Sequence, residues 1–215
     1  MEQLSLAMGV FLGADELKDT LAQVLKSVSE SGTISYEKVE EIAEDDTDDV
    51  LLMGWEWRLL IPVRTSRCGE WDDRVLMAEP GEVYEMPNVS KLLVESARQS
   101  GKWDSQKAIE DFFKMSGEPE WERVLALVRR MGEMSSSGVV TAFQVREACH
   151  EVGFGERVDT MIAILKGAGV MSPKLGALTQ VMKAGAPLYE LNPCLFVEAI
   201  DSEDTDASGV FSRLR

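Results

Sequence analysis

The chain holds one histidine, His150, and three cysteines, Cys68, Cys149 and Cys194. A cysteine–histidine nucleophile pair is the first chemistry these residue types could support. Cys149 and His150 are neighbours, and neighbours on a helix point about 100° apart, so they do not pair. A pair would have to form through the fold, with Cys68 or Cys194, and no third group that would orient it is evident. The same spacing opposes zinc, which wants ligand pairs a few residues apart. Neither G-x-x-x-x-G-K-[ST] nor G-x-G-x-x-G occurs, so the usual phosphate-cradling loops are missing. No catalytic, metal-binding or cofactor-binding residue is assigned, and the chain reads as non-catalytic.

Other residues are better placed to make contacts than to make bonds. "EDDTDD", from Glu44 to Asp49, concentrates carboxylates at the start of an expected helix, where the macrodipole favours them. Asp45 and Asp46 are candidates for docking a basic partner. Along that helix Leu51, Leu52, Trp55 and Leu59 form one apolar stripe. Met53, Trp57 and Leu60 form a second, at i, i+4 and i+7. A helix apolar on two faces is either sandwiched within the protein or presents one face to a partner. Met53, Trp57 and Leu60 are therefore candidate protein-binding residues, for a protein partner of basic character or for a second copy of the chain.

The elements that must position these residues come from an internal repeat. Tyr84 and Tyr189 stand 105 residues apart in "VYEM" and "LYEL". Upstream, Gly32 aligns with Gly138, Ile34 with Val140, Val39 with Val145 and Glu41 with Glu147. Leu21, Leu25 and Val28 align with Leu127, Met131 and Met134. Ile61-Pro62 falls near Ser172-Pro173. The repeat spans Asp15–Asn88 and Glu118–Pro193.

Each copy opens with an amphipathic helix, carrying Leu17, Leu21, Val24, Leu25 and Val28 in the first and Trp121, Val124, Leu125, Val128 and Met131 in the second. "SESGT" and "SSSGV" offer a glycine cap to end it. Ser35 caps a second helix, "YEKVEEIA"; Thr141 with Gln144 forms a capping box for its counterpart. The third helices are "TDDVLLMGWEWRLL" and "ERVDTMIAILKGAG". Two β-prone runs then close each copy as a hairpin. Between the copies, "NVSKLLVESARQSG" and "DSQKAIEDFFKMSG" read as connecting helices.

Three helices followed by a hairpin resemble a winged helix, here in tandem. The expected fold class is mainly α with small β-hairpins (α+β), as two winged-helix-like modules joined by helices. Residues 1–88 form the first and acidic module, 89–117 the connecting helices, 118–198 the second module and 199–215 an acidic, disordered tail. The resemblance rests on element order and on the closing Tyr-Glu strands. It implies a DNA-binding alternative, a transcriptional regulator in which the third helix of the second module and its wing supply Arg157, Lys166, Lys174 and Lys183.

Charge weighs against that alternative. The chain carries a net −16, the same sign as nucleic acid and anionic membrane. Asp15–Asn88 has 19 acidic and 7 basic residues; Glu118–Pro193 has 9 and 8. The reading favoured is a tandem winged-helix protein used for protein–protein assembly. The odd, scattered cysteines point to reduced thiols in a cytoplasmic protein. No apolar run approaches the ~20 residues of a membrane span. "LSLAMGVFLGA" is apolar enough for a signal-peptide core, but the basic residues of a leader do not precede it, so a buried first segment is expected.

Overall fold

A computed structural model describes residues 2–63, 71, 75–174 and 184–197. Cys68, Lys183 and the tail from 199 lie outside the described residues. Mainly helical, the described residues add two small antiparallel sheets of three strands each.

The N-terminal set of elements is α2 (Lys18–Ser31), β1 (Thr33–Ser35), α3 (Tyr36–Ala43), α4 (Thr47–Glu56), β2 (Ile61–Pro62) and β3 (Val83–Glu85). The C-terminal set repeats the order as α7 (Trp121–Met134), β4 (Val139–Thr141), α8 (Ala142–Glu151), α9 (Val158–Ala168), β5 (Met171–Pro173) and β6 (Leu188–Leu191). A short 3-10 turn precedes the third helix in both sets, Glu44–Asp46 and Gly155–Arg157. The last strand lies in the middle of each sheet, in the orders β1-β3-β2 and β4-β6-β5. Register repeats too: Tyr84 faces Ile34 and Pro62, and Tyr189 faces Val140 and Pro173. Both prolines sit on edge strands, where the missing N–H breaks no central ladder.

Local signals explain the helices. Leu21, Val24, Leu25 and Val28 of α2, and Val124, Leu127, Val128 and Met131 of α7, are buried stripes at helical spacing. Gly32, at φ 88°, closes α2 by donating its N–H to the Val28 carbonyl oxygen. The second copy differs. There α7 ends at Met134 with Ser135 extended, and Gly138 serves the turn beyond. Ser137 and Gly138 both have positive φ, 50° and 70°, and Ser136 and Val139 exchange both backbone hydrogen bonds at 3.0 Å. That is the geometry of a type I′ turn.

Two expectations need correction. Each closing hairpin is completed by a third strand, β1 or β4, set between the first two helices. And the third helix of the first set stops at Glu56, not Leu60. Arg58 adopts φ 50°, and the N–H groups of Leu59 and Leu60 both donate to the Gly54 carbonyl oxygen. The turn that follows points Leu59 and Leu60 inward.

Helix α1 (Glu2–Leu12) packs on α2 and on α5 (Asn88–Ser100), while α6 (Ser105–Met115) joins α5 to α7. Asp104 caps α6 by accepting from the Lys107 N–H at 2.9 Å. One hydrophobic cluster runs through both sets, from Leu4 and Met8 through Val89, Leu93 and Phe113 to Leu165 and Leu195.

The two N-caps are unequal. Gln144 donates its N–H to the Thr141 hydroxyl at 3.1 Å and returns a side-chain oxygen to the Thr141 N–H at 2.8 Å. Ser35 accepts one bond, from Lys38 N–H, at 3.4 Å. Thr141→Ala is therefore expected to lower stability by about 1–2 kcal/mol, and Ser35→Ala by about 0.5 kcal/mol. Urea unfolding of the two variants checks the order.

Candidate functional site

The acidic edge is built by a change of helix type. Glu44, at φ 51°, ends α3 and starts the 3-10 turn that carries Asp45 and Asp46. Thr47 then opens α4 with its hydroxyl donating to the Glu44 carbonyl oxygen at 2.7 Å. Val50, Leu51 and Gly54 face the core. Asp45, Asp46, Asp48 and Asp49 are all exposed, as is Leu52. These carboxylates take the solvent side of the helix start, where the macrodipole stabilises them.

The second apolar stripe is only partly at the surface. Leu60 is fully buried, so it is withdrawn as a partner-facing residue: the helical spacing that grouped it with Met53 and Trp57 ends at Glu56. Met53 and Trp57 are partly buried and pack on the core. The Trp57 ring lies 4.5 Å from Phe11 of α1, and Phe11 lies 4.8 Å from Trp103. Trp103 in turn donates its indole N–H to the Cys194 carbonyl oxygen at 2.8 Å. Much of the Trp57 face thus serves to seat α1.

Of the basic candidates in the C-terminal set, Arg157 is an internal partner. It donates to both Glu118 carboxylate oxygens, at 3.0 and 3.3 Å, and to Glu120 at 3.0 Å. This clamps the start of α9 to the segment entering α7. Lys166 lies in the last turn of α9. Lys174 is half-buried beyond β5, its N–H bonded to the Leu188 carbonyl oxygen. The exposed positions of α9 include Asp159, Thr160 and Ala163, with Glu156 exposed in the turn before it, and they offer no basic stripe.

The most constrained polar contacts were missed in sequence. They lie where the two sets meet. Arg58 donates to Glu190 at 3.1 and 3.3 Å and to the Trp55 carbonyl oxygen at 2.6 Å, and its guanidinium sits 4.3 Å over the Trp55 ring. Trp71, only 1% exposed, donates its indole N–H to Glu190 and its backbone N–H to the Ser172 hydroxyl, both at 3.0 Å. Arg58 stands four residues before Pro62, as Gly169 stands four before Pro173. Both have positive φ, 50° and 78°. A side chain at Gly169 would place Cβ 2.5 Å from Pro87. Thus the same turn in each set meets the other, once through an ion pair and once through bare backbone. The sequence signal was available: an arginine stands where the repeat has glycine.

Beside this junction Asn192 and Ser90 are fully buried. The Asn192 amide donates to the Ser90 hydroxyl at 3.2 Å and the Gly169 carbonyl oxygen at 2.9 Å, and its oxygen accepts from the Cys194 N–H. Burial raises the Cys149 thiol to about 11 and the Cys194 thiol to about 12, so neither is a thiolate near neutrality. Among the described residues no His, Cys, Asp or Glu group is arranged to hold a metal ion. Nor is any helix among them long and apolar enough to cross a membrane.

A mainly helical chain with two three-stranded sheets defines the α+β class. Within it, the chain belongs to a protein family whose model matches residues 6–200. No curated protein and no solved structure matches it.

Two outcomes follow from the ion pairs. Arg58→Ala leaves Glu190, which keeps the Trp71 indole donor, without the guanidinium and is expected to cost about 2 kcal/mol. Arg58→Gly, which relieves the left-handed backbone, should lose about 1 kcal/mol less; urea unfolding compares them. Glu118 is held below its ordinary value of 4.5 by the Arg157 hydrogen bond. Its contribution to stability is therefore complete above that value and lost as pH falls through the lowered one. Glu118→Gln should flatten the acid limb of the stability–pH curve below about pH 4.5, measured by thermal melting.

Proposed function

We propose that this is a non-catalytic protein of two winged-helix-like modules, used for protein–protein assembly in the cytoplasm. Support for the winged-helix reading comes from the order helix, strand, helix, helix, strand, strand, which occurs twice with the same strand order and register. Within such a module α4 is the helix that would read DNA. The observation carrying the assembly reading is the composition of its outward side: Asp45, Asp46, Asp48 and Asp49 are exposed there, with Leu52 46% exposed beside them. That side repels phosphate and suits a basic protein surface. The partly exposed edges of Met53 and Trp57 would flank the contact. The free cysteines Cys149 and Cys194 fit a reducing compartment.

The DNA-reading alternative leans on the C-terminal set, whose Arg157 is already matched by two carboxylates. A titration of labelled random duplex DNA, followed by fluorescence anisotropy at low and physiological salt, tests the choice. The expected outcome is no binding at either salt. Binding that weakens steeply with salt would instead favour the regulator. In parallel, Asp45→Lys with Asp46→Lys should abolish proteins captured by the wild-type chain while leaving the melting temperature within a few degrees, because both side chains are exposed.

A further inference from the structure

Helix α1 is apolar on more than the side it buries. Leu4, Ala7 and Met8 are in the core. Leu6 is nevertheless 67% exposed, and Val10, one turn later, is also exposed. Beside Leu6 an open groove of about 620 Å³ runs between α1 and the start of α2, with Ala22 in its lining. Glu2, Asp15, Glu16 and Asp19 line the same groove.

Two of these carboxylates, Asp15 and Asp19, are held by hydrogen bonds but not neutralised. Asp15 accepts from the Leu17 N–H at 2.8 Å, and Asp19 accepts from the Ser5 hydroxyl. The one cation of the lining, Lys18, donates to the Gly13 carbonyl oxygen at 3.0 Å, at the C-terminal end of α1, where a helix dipole favours positive charge. None of the four carboxylates forms an ion pair with a lysine or arginine among the described residues.

We propose that the groove between α1 and α2 docks a basic, amphipathic peptide segment of a partner protein. Charge complementarity selects the occupant. Lysine or arginine side chains of the segment meet Glu2 and Asp19 on one part of the rim and Asp15 and Glu16 on another. An apolar side chain between them covers Leu6 and the exposed Ala14, which lines the same groove. A polyamine would satisfy the charges and leave Leu6 in water. A second copy of this chain would bring its own net −16 to a negative rim. This surface lies on α1 and α2 and does not rest on the assembly reading of α4.

The test is anisotropy of a labelled amphipathic leucine–lysine peptide titrated with the full chain at low and physiological salt. Wild type should bind, more weakly as salt rises. Glu16→Gln with Asp19→Asn should weaken binding about tenfold, and Leu6→Ser about fivefold. Two comparison pairs remove the same charge on other elements: Glu79→Gln with Glu122→Gln, and Asp48→Asn with Asp49→Asn. The Glu79/Glu122 pair should change affinity by less than about twofold, and the Asp48/Asp49 pair, which reports any contact with α4, by less than the Glu16/Asp19 pair. Circular dichroism confirms that each variant is folded. Absence of binding by wild type at low salt overturns the proposal, as does equal weakening in all three charge pairs. So does an unchanged affinity in Leu6→Ser together with displacement by spermidine, which would make the groove a polyamine site. Loss confined to the Asp48/Asp49 pair would also overturn it, and would place the peptide on α4.

Discussion

Burial of polar groups between the two sets of elements is the constraint on which the rest depends. Asn192 and Ser90 are wholly removed from water, and a buried amide without partners would cost about 1–3 kcal/mol. Asn192 meets that demand with partners from three places: Ser90 on α5, the Gly169 carbonyl after α9, and the Cys194 N–H. The network closes only if α5, α9 and the segment after β6 occupy one arrangement. Arg58 and Glu190 add a charged pair at the same seam, with Trp71 covering it. Apolar packing alone would hold these elements together, since the core is continuous. The polar contacts fix which way they meet.

The repeat makes the seam near-symmetric in kind and unlike in chemistry. Each set turns its chain with a left-handed residue at the end of its third helix, and each such turn reaches the other set. Glycine is needed at 169, because Pro87 occupies the space a side chain would take. At 58 there is room, and an arginine fills it while accepting the backbone strain. Two sets with the same order of elements thus differ in chemistry where they touch.

Much of the fold was legible because its signals are local. Apolar spacing marked α2 and α7, and the Thr141–Gln144 box marked the start of α8. Strands β1 and β4 were not legible. Three residues carry no period, and Thr33–Ser35 is a strand only because Val83–Glu85, fifty positions later, pairs with it. The end of α4 was misread for a related reason. "WEWRLL" continues a helical apolar pattern, and what breaks it is an arginine whose carboxylate is 132 residues away. At the candidate site the exposed aspartates could be read, since helix starts gather carboxylates. The burial of Leu60 and the pairing of Arg157 with Glu118 could not, because both depend on segments brought together only by folding.

The packing of α1 has a consequence for synthesis. Its buried side rests on α5, whose residues follow it by more than seventy positions. A helix bearing Leu4, Met8 and Phe11 on one side and Leu6 and Val10 on the other therefore leaves the ribosome well before the α5 part of its seat exists, with only α2 close behind it. At ordinary elongation rates of about 5–20 residues per second, that interval lasts several seconds. Until α5 emerges, α1 shows apolar side chains on both sides, and a chaperone that holds it would act in that interval.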